Sequence, residues 1–281
     1  MPRKLVPLAI AYDFDGTLVP GNMQEQGFIP KIRMSRKAFW SEVAQLAKHH
    51  EADNILVYMH LMLEKAREAK VPVHKSDFEN FGKTLKLFIG VQDWFDRITK
   101  YGRAANVRVE HYVISSGIRE MVLGSPIARK FEAVFASSYM YEHNGVAQWP
   151  ALALNYTTKT QYLFRINKGS LHVYDHSKIN EYVPKDRRPI PFENMIFIGD
   201  GETDIPCFRL VKDQGGHAIA VYRPHSGKAK KLSEQLIKDG RVHFALPADY
   251  RDKRDLDKVV KAIIDKMAAD HDVRVLGKTR S

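Results

Sequence analysis

The stretch Ile10-Ala11-Tyr12-Asp13-Phe14-Asp15-Gly16-Thr17-Leu18 decides how the rest of the chain is read. Leu8 to Tyr12 is a short apolar run, the pattern of a buried strand. It ends in two carboxylates two residues apart, a spacing that puts both on one face of an extended chain. Buried parallel sheets hold ligands at the carboxyl ends of their strands. Two carboxylates there repel each other and lose hydration until a cation or a shared proton relieves them. The pair therefore predicts a metal, with one acid as an ionised nucleophile and the other as acid/base.

A second apolar run, Met195-Ile-Phe-Ile-Gly199, also ends in acids, as Asp200-Gly-Glu-Thr-Asp204. Hard oxygen donors at strand ends suit Mg²⁺. Glu202 is expected to be exposed or to stand behind the ligands. Between the two runs, Val107 to Ser115 predicts another strand, ending Ser115-Ser116-Gly117 before a helix. A hydroxyl and free backbone N–H groups at such a turn suit a phosphate. Thr157-Thr158 predicts the cap of a helix beginning at Lys159, with Tyr162, Leu163 and Ile166 as its apolar stripe. A lysine in a first helical turn opposes the helix dipole and wants an anion nearby. Lys168 and Lys178 are the alternatives to Lys159.

Asp-x-Asp-Gly-Thr, the strand ending in Ser115, the lysine and Gly-Asp-Gly-x-x-Asp stand in a fixed order. Together they resemble the four motifs of the haloacid dehalogenase-like hydrolase superfamily, most of whose members hydrolyse phosphomonoesters. The phosphoserine phosphatase-like branch is the most similar. The resemblance covers roughly residues 5–19 and 90–265. It implies an aspartyl-phosphate intermediate on Asp13, with Asp15 as acid/base and Ser115 and Lys159 at the phosphate. It also implies a Mg²⁺ site in the acidic set Asp13, Asp15, Asp200 and Asp204. Ligation then comes from Asp13, the backbone carbonyl of Asp15 and Asp200, and Asp204 orients water or Lys159. The chain departs from the branch where a Glu reads the substrate amine: Asn22 stands near that position, with Glu25 three residues on.

Helical spacing fills the gap between the first two strands. Ser35 predicts a cap for a helix carrying Phe39, Val43, Leu46 and Ala47. A second helix runs from about Ala52 to Ala69, with Leu56, Met59, Leu63 and Ala66 along one side. Ser76 and Glu79 predict a capping box for a third, and Gln92 to Tyr101 a fourth. The aromatic and Met residues on these helices are expected to form the insert's own core. Farther on, Ala133 to Tyr139 predicts a strand. Asn144-Gly145 predicts a hairpin turn, with His143 a turn residue. Ser170 to Phe192, polar and proline-rich, predicts an irregular excursion. Strands at 218–222 and 242–246 and helices at 226–238 and 256–267 complete the pattern, and the residues from about Asp270 read as a tail.

Strands alternating with helices predict an α/β fold: a doubly wound parallel sheet, Rossmann-like, with an inserted α-helical cap domain. The expected division is 1–19 and 90–281 for the core and 20–89 for the cap. The chain's 281 residues, 44% hydrophobic and 27% charged, provide ample core. Its only cysteine, Cys207, excludes an intramolecular disulfide and a cysteine metal cluster, and predicts a reducing, cytoplasmic setting. Met1-Pro-Arg-Lys before Leu5–Tyr12 is not expected to be a leader, because the apolar run is short and lacks a small-residue cleavage site. No stretch is apolar enough for a membrane span. The net charge of +11 is scattered and carries no nucleic-acid motif, so steering of a small phosphorylated substrate is the expected use. The competing readings are a phosphotransferase or mutase, a dehalogenase, a phosphonatase, or a non-catalytic binding protein that keeps the fold.

Overall fold

The computed structural model describes residues 5–278; the start weighed above as a leader, residues 1–4, lies outside them. Strand β1 (Val6–Tyr12) is the axis of the molecule. Its residues alternate between two cores, as the two-residue pleat requires. Leu8, Ile10 and Tyr12 face one apolar cluster, and Ala9 and Ala11 face the other. A strand buried on both sides needs a sheet on both edges and helices on both faces. Those are supplied by β2 (Val107–Ile118), β3 (Ala133–Tyr141), β4 (Ala147–Leu152), β5 (Met195–Gly199), β6 (His217–Tyr222) and β7 (Phe244–Pro247). The sheet order is β4-β3-β2-β1-β5-β6-β7. All pairs are parallel except β3–β4, which the Asn144-Gly145 turn joins as a hairpin.

Between β1 and the next core helix the chain makes a helical insert: α1 (Met23–Gly27), α2 (Arg36–His49), α3 (Asn54–Ala69) and α4 (Lys75–Lys83). It leaves and re-enters the core at one point, where Phe88 N–H donates to the Leu18 carbonyl at 2.9 Å. Ser35 caps α2 through Ala38 N–H, as its position predicts. Two expectations fail locally. The capping box of α4 is closed by Asp77 on the His74 N–H, at 2.8 Å, not by Ser76 and Glu79, so the helix begins two residues early, with Asp77 at its third position. Leu56 faces solvent, since the buried side of α3 is set by Met59, Met62, Leu63 and Ala66.

The remaining helices are α5 (Val91–Ala104), α6 (Arg119–Gly124), α7 (Tyr156–Lys168), α8 (His176–Asn180), α9 (Ile205–Asp213), α10 (Gly227–Lys238) and α11 (Asp255–Lys278). The expected tail is helical: α11 continues past Asp270 with Val273 and Leu276 exposed, so no apolar periodicity marks it. No helix among the described residues is long and apolar enough to cross a membrane. Apart from α8 and a short 3-10 turn at Lys185–Arg187, the 170–192 excursion is irregular, as expected. It is gathered around one buried cation, Arg165 of α7, which donates to the carbonyls of His172, Val173 and Asp175. Under β1, a buried polar chain ties α5 to the sheet. Trp94 Nε1 donates to the Tyr12 hydroxyl at 2.8 Å, and that hydroxyl lies 3.0 Å from His111 Nδ1. Burial pushes the His111 imidazole down to about 4, so it is neutral here.

Insert and core meet most tightly where α4 crosses α6. A Cβ on Gly124 would stand 1.9 Å from the Glu79 carbonyl oxygen, and one on Gly82 2.1 Å from that of Met121. Backbone cannot yield as a flexible side chain does. Gly124→Ala is expected to cost about 1–3 kcal/mol of stability. Urea denaturation measures it, and a change within about 0.5 kcal/mol would show that the crossing is slack.

Candidate active site

β1 and β5 are neighbours, with Tyr12 opposite Ile198 in register. Their carboxyl ends therefore deliver Asp13 and Asp200 side by side. Asp13 N–H extends the pairing to the Ile198 carbonyl, and its Oδ1 accepts from Phe14 N–H at 2.7 Å. Beyond Asp13 the chain coils tightly: the N–H groups of Leu18 and Val19 both point to the Phe14 carbonyl. This coil turns Asp15 back toward the site, where its Oδ1 accepts from Met23 N–H at 2.8 Å. Gly16 makes the coil possible. Its φ is +72°, and a Cβ there would overlap the Asp200 carboxylate at 1.9 Å. Gly199 likewise leaves room for the carboxylate of Asp204.

Lys159 is the counter-charge. It is fully buried, and its Nζ lies 2.8 Å from Asp204 and 3.3 Å from Asp13. Asp204 also accepts from Asp200 N–H at 3.1 Å, fixing the loop that carries Asp200. Of the other lysines weighed from the sequence, Lys168 donates to the carbonyls of Ile179 and Glu181, and Lys178 is exposed. The helix cap differs from the expected Thr157-Thr158. Asn155 is the cap of α7, and Thr158 closes on its N–H at 2.8 Å. The helix therefore starts at Tyr156, and Lys159 comes at its fourth residue.

Ser115 sits at the end of the regular β2–β3 pairing, which slips between Ser115 and Ile118. Its Oγ accepts from Gly117 N–H at 3.1 Å. Gly117 again is small by necessity, since a Cβ would stand 2.2 Å from Met23 and 2.9 Å from Asp15. Asp13, Asp15, Ser115 and Asp200 line one cavity of about 540 Å³, with Lys159 and Asp204 beneath its floor. Glu202 is exposed, as expected, and His143 is exposed at the hairpin turn. None of the 170–192 excursion lines the cavity.

Asp13, Asp200 and Asp204 each bring a carboxylate oxygen within 4.8 Å of the others. The Asp15 carboxylate falls outside that group. Burial pushes Asp13 up to about 6, against the pull of Lys159. Burial, then the Asp13 charge, holds Asp15 well above the carboxylate range. Burial and the charges of Asp13 and Asp204 do the same to Asp200. Burial pulls the Lys159 ammonium down, but Asp13 and Asp204 together hold it above its ordinary value. A hard divalent cation fits this oxygen-only, crowded set, because it replaces the protons that the acids otherwise retain.

Residues 10–209 match the family model of the haloacid dehalogenase-like hydrolases. The chain belongs to that family. An uncharacterized protein of Borreliella burgdorferi is 31% identical over 252 residues, which are 80% of this chain and 86% of that protein. Among solved structures, a HAD family hydrolase from Salmonella enterica serovar Typhi aligns with a TM-score of 0.56 at 15% identity. The match covers 93% of this chain and 73% of that one. A substrate-bound phosphoserine phosphatase aligns at 0.54 and 16%, covering 91% and 98%. At these identities the structural matches speak for the fold, α/β with a helical insert.

The wall of this haloacid dehalogenase-like site was not visible in its motifs. Trp40, Tyr58 and Phe88 line the cavity, so the insert's aromatics are not all internal core. Tyr58 donates to the Ser116 carbonyl at 2.5 Å, linking α3 to the end of β2. Gln24 and Arg223 also line the cavity. No sequence signal separates Trp40 and Tyr58 from core residues, since both lie on the apolar faces of their helices.

Two outcomes follow from these charges. Lys159→Met leaves Asp13 and Asp204 buried without a cation, and is expected to cost about 3–5 kcal/mol at neutral pH. Chemical denaturation reads this, and a loss under about 1 kcal/mol would mean that the carboxylates need no partner. The second outcome concerns pH. Asp13 binds its proton more tightly folded than unfolded, so the stability it lends is full below its ordinary 3.8 and is lost as pH rises through about 6. A cation relieves that loss. Added Mg²⁺ at about a hundred times its Kd is expected to raise Tm by roughly 5–10 °C at pH 7.5, and distinctly less at pH 5. An equal or larger shift at pH 5 would contradict the charge arrangement.

Proposed function

We propose that this protein is a Mg²⁺-dependent phosphomonoester hydrolase acting on a small phosphorylated metabolite. The observation that carries the reading is the pairing of Asp13, 3.3 Å from the Lys159 ammonium, with a second carboxyl at Asp15, held on the Met23 N–H in the same cavity and pushed above the carboxylate range by burial and the Asp13 charge. We further propose that residues 1–19 and 90–281 form the catalytic core and 20–89 the cap over it.

Asp13, Asp200 and the Asp15 backbone carbonyl would hold the metal, whose positive charge offsets that of the phosphoryl oxygens. The Asp13 carboxylate attacks phosphorus, and the phosphorus–oxygen bond to the alcohol breaks. The Asp15 carboxyl gives its proton to the departing alkoxide, so a neutral alcohol leaves and an aspartyl-phosphate remains. Asp15, now ionised, takes a proton from water, which attacks phosphorus and frees Asp13 and inorganic phosphate. The Ser115 hydroxyl, whose oxygen accepts from Gly117 N–H, would donate its proton to a transferring oxygen. Lys159 holds Asp13 oriented and charged, with Asp204 fixing Lys159. A dehalogenase has no use for the proton on Asp15, and a non-catalytic fold has no use for the buried charge.

Asp13→Asn is expected to lower turnover of p-nitrophenyl phosphate by several orders of magnitude. Asp15→Asn separates the two acids. An aryloxide leaves without a proton, so Asp13 of the variant should still take the phosphoryl group and then stall. An alkyl phosphate should react far more slowly. Intact mass after brief exposure to aryl phosphate and Mg²⁺ reads the trapped species. Equal loss on aryl and alkyl esters, with no added phosphoryl mass, would remove Asp15 from the chemistry.

A further inference from the structure

The Asp15 side of the cavity is walled by the segment that enters α1. Met23 N–H holds Asp15, and Met23's two neighbours in sequence, Asn22 and Gln24, both line the cavity. An alcohol that takes its proton from Asp15 lies against this wall. Its chemistry can therefore be read from the groups there.

Apart from Asp15 itself, no carboxylate of this segment lines the cavity. The further acid on this segment is Glu25, and it is already engaged. Its Oε1 accepts from Trp40 Nε1 at 2.8 Å and from Asn22 Nδ2 at 3.2 Å, and Arg36 stands 3.5 Å from Oε2. Trp40 and Asn22 line the cavity, and Glu25 does not. An ammonium group held against this segment would have to break the clamp or go without a carboxylate partner there, which is unfavourable. At the rim Arg223 adds a positive charge, which favours a phosphate and opposes an amine.

Neutral polar atoms, by contrast, wait for a partner. Gln24 is 2% exposed and its Oε1 has none. Ser116 Oγ is buried at the same cavity, also unpartnered. A buried amide or hydroxyl left unpaired is costly, and a substrate hydroxyl satisfies it. Ile55 and Phe88 add apolar surface to the same cavity. Hydroxyl partners and C–H contacts within one cavity are what a polyol or sugar chain uses.

We propose that the alcohol released at this site is uncharged and polyhydroxylated, selected over amino alcohols by Gln24, Ser116 and the Glu25–Trp40–Asn22 clamp. This rests on the phosphatase reading above.

The test is a matched pair, 2-hydroxyethyl phosphate and phosphoethanolamine, which differ only in a hydroxyl against an ammonium. The wild-type kcat/KM is expected to favour the hydroxyl ester by roughly tenfold or more. Trp40→Phe keeps a ring but removes the indole donor, which frees Glu25, and should narrow the ratio severalfold. Arg36→Gln, outside the cavity, should move it the same way. Gln24→Met should weaken the hydroxyl ester alone. Calorimetric binding of both esters to the Asp13→Asn protein needs no turnover, so it keeps the two readings apart. Preferential binding of the hydroxyl ester with no turnover by the wild type would sink the phosphatase reading and leave the selectivity standing. Turnover of both esters at equal kcat/KM, or a preference for phosphoethanolamine, would overturn the selectivity alone. A ratio unmoved by Trp40→Phe and Arg36→Gln would remove the clamp from it.

Discussion

Repulsion among carboxylates at the middle of the sheet is the constraint that the rest of this structure answers. Two like charges about 4 Å apart repel by about 1 kcal/mol in water and about 4 kcal/mol near a protein surface. Here parallel pairing of β1 and β5 forces Asp13 and Asp200 together, and the turn after β5 adds Asp204. One buried ammonium, Lys159, contacts two of the three. It reaches them because Asn155 starts α7 where its fourth residue falls under the strand ends. The position of α7 is therefore tied to the charge problem as well as to the packing of Tyr162, Leu163 and Ile166.

Crowding of the acids also accounts for the small residues around them. Gly16, Gly117 and Gly199 come from three separate segments, and a side chain at any of them would strike Asp200, Asp15 or Asp204. The backbone is stripped to its minimum where carboxylates must share space. Gly16 and Gly199 lie inside the acidic motifs; both make room for a carboxylate, and Gly16 also supplies the positive φ of the coil.

Much of the core was legible because its signals are local. An apolar run ending in acids marks a strand and a site in the same few residues, which is why Asp13, Asp15, Asp200 and Asp204 could be read directly. Asn144-Gly145 carries its own turn. Ser115 and Lys159 needed the order of motifs as well. The parts that were not legible depend on distant partners. Thr158 looks like a cap for α7, but it serves Asn155. Leu56 repeats with the apolar stripe of α3, yet it stays 44% exposed. The end of α11 reads as a tail because its apolar residues face outward. The cavity wall was the largest gap. Trp40 and Tyr58 have the spacing of core residues, and only the folded chain shows that an edge of each meets open space.

The three tryptophans of the chain stand in three different settings. Trp94 is fully buried and hydrogen-bonded to Tyr12, Trp149 is mostly exposed on the edge strand β4, and Trp40 forms part of the cavity wall. Light emission from this protein is therefore a sum of a constant core signal, a solvent-like signal and one that depends on what fills the cavity. The clamp on Glu25 gives the molecule a built-in optical gauge of its own occupancy, since whatever displaces water from the wall changes the surroundings of a single indole.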